Sequence, residues 1–176
     1  MESPLFSKPT IDSPTGSSVH FSSKTDLWPT PQGLLNELNA EFAFTLDVCA
    51  TAENTKRQRF FSPIDDGLKQ TWTGTCWMNP PYGRAIGRWL RTVYESAQAG
   101  ALVVTLVPAR TDTESWHEWA SRGEVRFFRG RVRFGSAKAS APFPSAIVIF
   151  RPPPKGQTKW QRAFFCHAQT RSANDE

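Results

Sequence analysis

Apolar residues recur along this chain at two spacings, one helical and one typical of strands, and the two alternate. The first helical pattern opens with Thr30 as N-cap and Pro31 at the first helical position. Leu34, Leu35 and Leu38 then fall on one helix face. A helix that buries this face is therefore predicted at the start of the folded region.

Three apolar runs predict buried strands, and a helical pattern separates the last two. The runs are 42–48, which ends beside an acid, 76–78, which stops at an Asn-Pro-Pro turn, and 101–107, which is almost continuously apolar. Between the second and third runs, apolar residues at helical spacing span 86–97, and Gly100 ends the pattern. Because strands alternate with helices here, the runs predict a parallel sheet.

The following stretch predicts one more helix and two consecutive strands. Thr111 and Glu114 form a capping box, and Gly123 ends the helix that they start. Strands over 125–134 and 145–151 follow with no helix between them, which indicates an antiparallel pairing at the sheet edge. The predicted fold class is α/β, with a mostly parallel sheet and an antiparallel edge strand.

Length and composition fit one folded domain with a tail on each side. Of the 176 residues, 39% are hydrophobic, enough to bury a core without disulfides or a structural metal. Ser, Pro and Thr are abundant in residues 1–25, which predicts a flexible tail before a domain over 26–152. Prolines break the last strand, so 153–176 is expected to be a basic, partly disordered tail.

The sequence indicates neither membrane insertion nor secretion. No apolar run approaches the roughly 18 residues of a membrane span, and the residues after Met1 lack the order of a signal peptide. Cys49, Cys76 and Cys166 form no Cys-x-x-Cys pair, which argues against a disulfide framework and against a cysteine zinc site. We therefore expect a cytosolic protein with reduced cysteines.

Charge is distributed unevenly along the chain. The 21 Lys and Arg against 16 Asp and Glu give a net charge of +5. Residues 121–162 hold ten of the basic residues and one acid, so they carry +9 and the remaining residues carry −4. A basic segment of this kind predicts a surface for a polyanion such as nucleic acid, and the alternative is a solvated basic face.

Asn79-Pro80-Pro81-Tyr82 carries the most specific chemistry in the sequence. An aromatic amine is a poor nucleophile because its lone pair is delocalised into the ring. If the side-chain carbonyl of Asn79 and the backbone carbonyl of Pro80 each accept an N–H bond, that lone pair becomes available. The two prolines stiffen the loop, and Tyr82 offers a flat face for an extruded base. These four are the candidate catalytic residues, and a plain Pro-Pro turn is the alternative.

Asp47 and Asn79 each follow a predicted strand of the parallel sheet. Ligands of open α/β sheets bind at the carboxyl ends of the strands. The two polar residues therefore predict one site at that edge.

These motifs and their order resemble the phage and prophage DNA N-6-adenine methyltransferases of the Dam type. Asn-Pro-Pro-Tyr after an apolar strand is the amine-methylation motif of adenine methyltransferases that depend on S-adenosylmethionine. The resemblance implies a reduced Rossmann-like methyltransferase fold and methyl transfer to the N-6 amine of a flipped-out adenine in DNA. It runs in order from about Asp26 to Pro152 and is carried by Trp28 with 30–31, 45–48, 65–68, 77–83, 108–112, 129–131 with 134–135, and 141–145.

The resemblance also implies a site for S-adenosylmethionine. Thr30 and Pro31 match the motif that opens this site, where a helix N-terminus faces the methionine carboxylate. Asp47 matches the acid that meets the methionine amine. Asp65 and Asp66 lie where related enzymes place an acid for the adenine amino group of the cofactor, and we prefer Asp66. No metal is expected, because the leaving group is a neutral thioether.

One segment departs from the wider superfamily. The glycine-rich F-x-G-x-G cofactor loop is missing, and residues 47–51 stand in its place. Only about thirty residues separate Asp47 from Asn79, so the elements usual in that interval must be reduced or absent. No separate target-recognition domain is expected either, which predicts short or weak sequence specificity.

The expected partner is DNA, with no membrane and with the oligomeric state left open. Basic residues on phosphates should supply most of the affinity. Phe134 or Phe143 could stack on the second face of a flipped adenine, although most Phe residues in a small domain are core residues and that interpretation is favoured for either one. The candidate DNA-binding residues are Arg129, Arg131, Arg133, Phe134, Lys138 and Phe143. A phage-encoded enzyme of this kind would act in the host cytoplasm, where it could mask its genome from restriction.

Three other functions stay open from the sequence. The same motif serves enzymes that methylate RNA bases or glutamine side chains of proteins. Alternatively, Asp47, Glu53, Asp65 and Asp66 could bind Mg²⁺ in a nuclease, although the usual Glu-x-Lys signature is absent. A DNA-binding module that keeps the fold without catalysis is the third.

Overall fold

The computed structural model describes residues 28–55, 57–135 and 140–154. Residues 1–25, most of 153–176 and Lys138 lie outside the described residues, so the predicted domain bounds stay a prediction. The helices and strands are α1 Gln32–Phe42, β1 Leu46–Asp47, β2 Thr75–Met78, α2 Ile86–Gln98, β3 Leu102–Pro108, α3 Glu114–Glu118, β4 Glu124–Phe127 and β5 Ser145–Phe150. Short 3₁₀ helices lie at Gly67–Lys69 and Ala120–Arg122.

Within the described residues, five strands form one sheet in the order β1-β2-β3-β5-β4. β1, β2 and β3 are parallel neighbours, and α2 forms the crossover from β2 to β3. β5 runs antiparallel to both β3 and β4. The predicted α/β class and the antiparallel pairing of the last two strands are confirmed. The reversed strand is β5, one position inside the sheet, and β4 forms the edge.

The sheet is covered on both faces, because alternate residues of its inner strands enter two different cores. On one face, Val103 and Val107 of β3 pack with Leu90 and Val93 of α2 and with Trp116 of α3. On the other face, Val104 and Leu106 of β3 pack with the α1 side chains Leu35, Leu38 and Phe42. Burial on both faces explains why β3 and β5 are almost wholly apolar, as the sequence predicted.

The helical pattern at 86–97 is confirmed as α2, which is amphipathic and buries Trp89, Leu90, Val93 and Ala97. The prediction that the elements between Asp47 and Asn79 are reduced or absent is confirmed as well. Among the described residues between Asp47 and Asn79, the structure contains an isolated bridge from Asp47 to Phe60, a 3₁₀ helix and β2, and no α-helix. No helix of the described residues is long and apolar enough to cross a membrane.

The predicted start of α1 is wrong by one residue. Pro31, not Thr30, occupies the N-cap position, and no side chain caps the helix. The hydroxyl of Thr30 instead accepts a hydrogen bond from the Asn79 side chain at 2.9 Å. A long-range partner has therefore taken the oxygen that would otherwise cap the helix.

The strand predicted over 42–48 is shorter than expected. α1 continues to Phe42, Ala43 takes a left-handed conformation with φ of 51°, and β1 contains only Leu46 and Asp47. Asn39 stabilises this helix end, because its side-chain oxygen accepts from the Phe44 backbone N–H at 3.1 Å. Local capping thus extended the helix into apolar residues that a strand could equally have used.

Two predictions in the C-terminal half are also wrong. Thr113, not Thr111, is the N-cap of α3, and its hydroxyl accepts from the Trp116 backbone N–H. The strand predicted over 125–134 ends at Phe127. Beyond Gly130, whose φ is 89°, buried Val132 alternates with exposed arginines, but this segment is not part of the sheet. It packs instead on the α1 face.

Candidate active site

Asp47 and Asn79 lie at the same edge of the sheet, as predicted. β1 and β2 are parallel neighbours in which Asp47 is opposite Trp77. The Val48 backbone N–H donates to the Trp77 carbonyl at 3.0 Å, so the pairing extends past the end of β1. Both polar residues line one cleft at the carboxyl ends of these strands.

The cleft has a volume of about 170 Å³ and combines aromatic walls with a few polar groups. Most wall residues come from the segment before α1, the loop after β1, the turn before the first 3₁₀ helix and the loop after β2, and β2 and α2 add Trp77 and Trp89. Aromatic and acidic side chains are interspersed, which suits a ligand that is partly apolar and partly charged. The lining includes Trp28, Thr30, Asp47, Asp66, Asn79 and Trp89.

Asp47 ends β1 with a side chain that is only 3% exposed. Its Oδ1 accepts from the Cys49 backbone N–H at 3.3 Å, which turns the chain into the loop that replaces the glycine-rich segment. Burial, assisted by the charge of Asp47, raises the pKa of the neighbouring Cys49 thiol to about 12. Asp47 thus brings a carboxyl group to the cleft beside a thiol that stays neutral at physiological pH.

Of the two adjacent acids, Asp66 lines the cleft and Asp65 does not. The exposed Asp65 accepts from the backbone N–H and the hydroxyl of Ser62 at 2.8 and 2.7 Å, and these bonds lower its pKa. Asp66 has a φ of 51° and forms an ion pair with Lys69 at 3.0 Å. The position of Asp66 agrees with the preference stated from the sequence.

Three residues of the Asn-Pro-Pro-Tyr motif line the cleft, namely Asn79, Pro80 and Pro81. The Asn79 side-chain amide donates to the Trp28 carbonyl at 2.5 Å and to the Thr30 hydroxyl at 2.9 Å. Its Oδ1 accepts from the Tyr82 hydroxyl at 2.7 Å. The amide is thus held from both ends, with its oxygen turned away from Trp28.

Tyr82 is buried, with 4% of its surface exposed. Its ring packs edge-on against Phe134 and Phe143, with centroid distances of 5.9 and 5.6 Å. Its hydroxyl also lies 3.2 Å from the Leu106 carbonyl, and burial raises its pKa well above the ordinary value. Stacking of Tyr82 on a base stays a prediction, and it would require these neighbouring rings to move.

Thr30 lines the cleft beside Asn79, whereas Pro31, at the N-cap of α1, is not among the cleft-lining residues. Two hydrogen bonds hold the backbone of Trp28 and Pro29, which precede Thr30. Trp28 accepts from Asn79, and the Pro29 carbonyl accepts from the Gly135 backbone N–H at 2.8 Å. This segment therefore connects the Asn-Pro-Pro-Tyr loop to the segment that contains the predicted DNA-binding residues.

Phe134 and Phe143, the two aromatic candidates for contact with a base, belong to one cluster of rings with Trp28. Trp28 contacts Phe134 at 5.3 Å and Phe143 at 5.1 Å between ring centroids. Phe134 is buried, and Phe143 is half-buried. Of the two, Phe143 is the one with surface available to a ligand.

The basic segment divides into paired and exposed arginines. Arg126 forms a two-bond ion pair with Glu41 at 2.7 and 2.8 Å and a third bond with Glu124, which also binds Arg151. These contacts connect α1 to the edge of the sheet. Arg129, Arg131 and Arg133 are exposed and form no ion pair with another described residue, and Lys138 lies outside the described residues.

Sequence reasoning missed two further arginines at this edge. Arg84 follows the Asn-Pro-Pro-Tyr loop and Arg110 follows β3, and both are exposed. The Ala109 backbone N–H donates to the Pro144 carbonyl at 2.9 Å, so Arg110 lies beside the loop of Phe143. Their positions directly after two parallel strands could have identified them.

The four acids of the nuclease alternative do not form a metal site. Among the described residues, no group of three or more His, Cys, Asp and Glu side chains is arranged to hold a metal ion. Asp65 is directed at Ser62, and the exposed Glu53 has its pKa lowered by bonds to Thr51 and its own backbone. The geometry therefore gives that alternative no support.

Fold and cleft together define an α/β protein that presents an Asn-Pro-Pro-Tyr motif at the carboxyl end of a parallel strand, the arrangement of an amine methyltransferase. Comparison with known sequences identifies the family. The chain belongs to the family described as DNA N-6-adenine-methyltransferase (Dam), whose sequence model matches residues 17–161. The match includes all of the described residues.

Two relatives carry the same description. The DNA N-6-adenine-methyltransferase of Haemophilus phage HP1 (strain HP1c1) is 32% identical over 141 residues, which cover 74% of this chain and 81% of that protein. The DNA N-6-adenine-methyltransferase of Escherichia phage T1 is 30% identical over 91 residues, which cover 50% of this chain and 38% of that protein. The resemblance stated from the motifs is confirmed.

Proposed function

We propose that this protein transfers a methyl group from S-adenosylmethionine to the exocyclic N-6 amine of adenine in DNA. The observation that carries the proposal is the Asn79 amide, held at the edge of the cleft by three hydrogen bonds. Family membership and the names of both phage relatives support the substrate. Adenine specificity is therefore part of the same proposal.

The cleft residues fit S-adenosylmethionine by the chemistry of their side chains. Asp47 offers a buried carboxylate to the methionine amine, and Asp66 offers a partly exposed carboxylate to the adenine amino group of the cofactor. Thr30, which lines the cleft just before α1, would face the methionine carboxylate, and Pro31 would act only by starting that helix. When bound, the cofactor supplies an electrophilic methyl group on a sulfonium, which leaves as a neutral thioether.

The residues of this chain act on the acceptor amine. Asn79 Oδ1 and the Pro80 carbonyl accept its two N–H bonds, which draws the nitrogen toward tetrahedral geometry and frees its lone pair. A nitrogen held in this way would be ready to accept the methyl group that the bound cofactor would supply, and the methylated amine would lose its extra proton to solvent. The rigid Pro80-Pro81 loop makes the acceptors ready before the base arrives, so positioning supplies much of the acceleration.

We also propose that the sheet is a reduced form of the Rossmann-like methyltransferase fold. Parallel β1, β2 and β3, a helix crossover, and a cleft at the carboxyl ends of the strands support this assignment. Exposed arginines near the cleft support DNA binding through phosphates with short or weak sequence specificity.

The test incubates the purified full chain with methyl-labelled S-adenosylmethionine and, separately, duplex DNA, single-stranded DNA, RNA and protein. We expect label in duplex DNA, and base-resolution mapping should place it on adenine. Asn79→Ala should abolish transfer, whereas Asn36→Ala, at an exposed position of α1, should not. Label in RNA or protein alone would replace the proposal by one of its alternatives.

Absence of transfer to every substrate is also informative. Binding of S-adenosylmethionine should raise the melting temperature of the protein. If neither transfer nor a thermal shift is observed while DNA still binds, the chain is a non-catalytic DNA-binding module. Magnesium-dependent nicking without S-adenosylmethionine would support a nuclease instead.

A further inference from the structure

The Asn79 amide has a single orientation that its surroundings allow. The Trp28 carbonyl, 2.5 Å from the amide nitrogen, can only accept a hydrogen bond. If the amide were flipped, Oδ1 would face this carbonyl, and two acceptors would repel each other. The Thr30 hydroxyl, at 2.9 Å, completes the pair of acceptors around the amide nitrogen. The Trp28 carbonyl and the Thr30 hydroxyl thus fix the orientation of the Asn79 amide.

The Tyr82 hydroxyl stabilises the same orientation from the oxygen side. It has one proton and lies 2.7 Å from Asn79 Oδ1 and 3.2 Å from the Leu106 carbonyl. Its proton belongs on the shorter contact, because otherwise the Tyr82 oxygen and Oδ1 would both be acceptors without a proton between them. Burial raises the pKa of Tyr82 well above its ordinary value, so the hydroxyl remains a donor at neutral pH.

A carbonyl oxygen has two lone pairs, and Tyr82 uses one of them. The second lone pair of Asn79 Oδ1 stays available for the acceptor amine in the proposed function, and Asn79 is one of the residues that line the cleft. Tyr82 itself is 4% exposed and is not among the residues lining the cleft. Its contact with the reacting region therefore runs through Asn79.

We propose that Tyr82 and Thr30 are positioning residues whose hydroxyls hold the Asn79 amide with Oδ1 toward the acceptor amine. This proposal rests on the proposed function, in which Asn79 Oδ1 binds that amine. It gives Tyr82 a role for its hydroxyl that differs from base stacking, which depends on the ring. It gives Thr30 a role that differs from cofactor binding.

Tyr82→Phe tests the first hydroxyl, because the change keeps the ring and removes the donor. We expect kcat to fall about tenfold, with KM for DNA and for S-adenosylmethionine changed less than twofold. The matched control is Tyr94→Phe, which deletes the hydroxyl of the other tyrosine, on α2, and should leave both constants unchanged. A parental kcat for Tyr82→Phe would overturn the role of the hydroxyl and leave the ring as the important part.

Thr30 is tested by a pair of variants. Thr30→Val removes the hydroxyl at nearly constant shape and should lower kcat about tenfold, whereas Thr30→Ser keeps the hydroxyl and should restore it. If Thr30→Val raised KM for S-adenosylmethionine at a parental kcat, the hydroxyl would serve the cofactor and this half of the proposal would be wrong. Thermal unfolding of each variant reports any general loss of fold, which Thr30→Ser and Tyr94→Phe calibrate.

Failure of this proposal is distinguishable from failure of the proposed function. If the parental chain methylates DNA and Asn79→Ala does not, the proposed function holds whatever the hydroxyl variants do. Parental kcat values for both Tyr82→Phe and Thr30→Val would then contradict the positioning role alone. If the parental chain does not methylate adenine in DNA, both proposals are wrong together.

Discussion

The backbone at Gly67 touches the backbone of Val48. A Cβ placed on Gly67 would lie 2.2 Å from the Val48 carbonyl oxygen and 3.3 Å from the Trp89 ring. Only glycine permits this approach, which seats the turn containing Asp66 against the loop that follows β1. The same contact joins the two segments that supply acids to the cleft.

Gly67→Ala should therefore weaken both the fold and the cofactor site. We expect the free energy of unfolding to fall by about 1–3 kcal/mol, because the added methyl meets backbone that cannot move aside easily. KM for S-adenosylmethionine should rise as Asp66 is displaced. Urea unfolding and steady-state kinetics measure the two effects. Gly33→Ala is the control, because a Cβ there meets nothing within 4 Å and lies in α1, and it should be neutral or slightly stabilising.

Asp65 and Asp66 can be compared with two substitutions that each remove one negative charge. Asp66→Asn should raise KM for S-adenosylmethionine about tenfold, because a carboxylate in the cleft is lost. Asp65→Asn should leave that KM within twofold, since Asp65 is exposed and bound to Ser62. Isothermal titration of the cofactor gives the same comparison without turnover. Equal effects of the two changes would contradict the assignment of Asp66 to the cofactor.

The long apolar elements could be predicted from the sequence because their periodicity reflects burial on one face or two. α2, β3 and β5 owe their bounds to such burial, and all three were predicted to within one residue at each end. The predicted bounds of helices and strands were wrong where a single contact determines the local structure. Asn79 takes the Thr30 hydroxyl, Asn39 extends α1, and the chain leaves the sheet before Gly130. None of these contacts has a periodic signal.

The site was predictable in part for the same reason. The position of Asp47 and Asn79 at one edge follows from parallel strand topology, which the order of elements implies. From the sequence we preferred Asp66 to Asp65, but only the folded turn decides which of two neighbouring side chains reaches the cleft. It also could not show that the Tyr82 ring is covered, since Phe134 and Phe143 come from a distant segment.

The exposed side chains of Arg131 and Arg133 should bind phosphates. The double variant Arg131→Ala/Arg133→Ala should weaken DNA binding and reduce the slope of log K against log salt concentration by about one per lost contact. At saturating DNA, kcat should be unchanged. Arg91→Ala is the control, because it removes a charge on α2 that is already paired with Glu95. Fluorescence anisotropy at several salt concentrations measures the slope, and a parental slope would exclude these two arginines from the interface.

Alkaline pH should destabilise the protein through the thiols of half-buried Cys49 and buried Cys76. Burial raises the pKa of Cys49 and of Cys76 from an ordinary value of 9.0 to about 12. The folded state holds these protons more tightly than the unfolded chain, so stability is full below pH 9 and is lost as pH rises toward 12. Urea unfolding between pH 7 and pH 10.5 tests the sign. Cys76→Ala should lose less stability over this range than the parental chain, and parallel curves would contradict the prediction.

Variants of Phe143 and Phe134 distinguish contact with a flipped base from packing in the core. Both rings contact Trp28 and Tyr82, but Phe134 is 3% exposed and Phe143 is half-buried. If Phe143 stacks on a flipped adenine, Phe143→Leu should weaken DNA binding by about 1–3 kcal/mol while leaving the melting temperature nearly unchanged. Phe134→Leu should show the reverse, with reduced stability and little change in DNA affinity for the protein that remains folded.

The measurement uses duplex DNA with 2-aminopurine at a methylated position, because this base becomes fluorescent when it leaves the stack. The parental chain should raise the fluorescence, and a ring that stacks on the base should partly quench it. Phe143→Leu should therefore bind less tightly but give a brighter signal per bound duplex, whereas Phe134→Leu should match the parental signal. If Phe143→Leu changed stability alone, both rings would belong to the core, and the flipped base would have to find its second face elsewhere in the cleft.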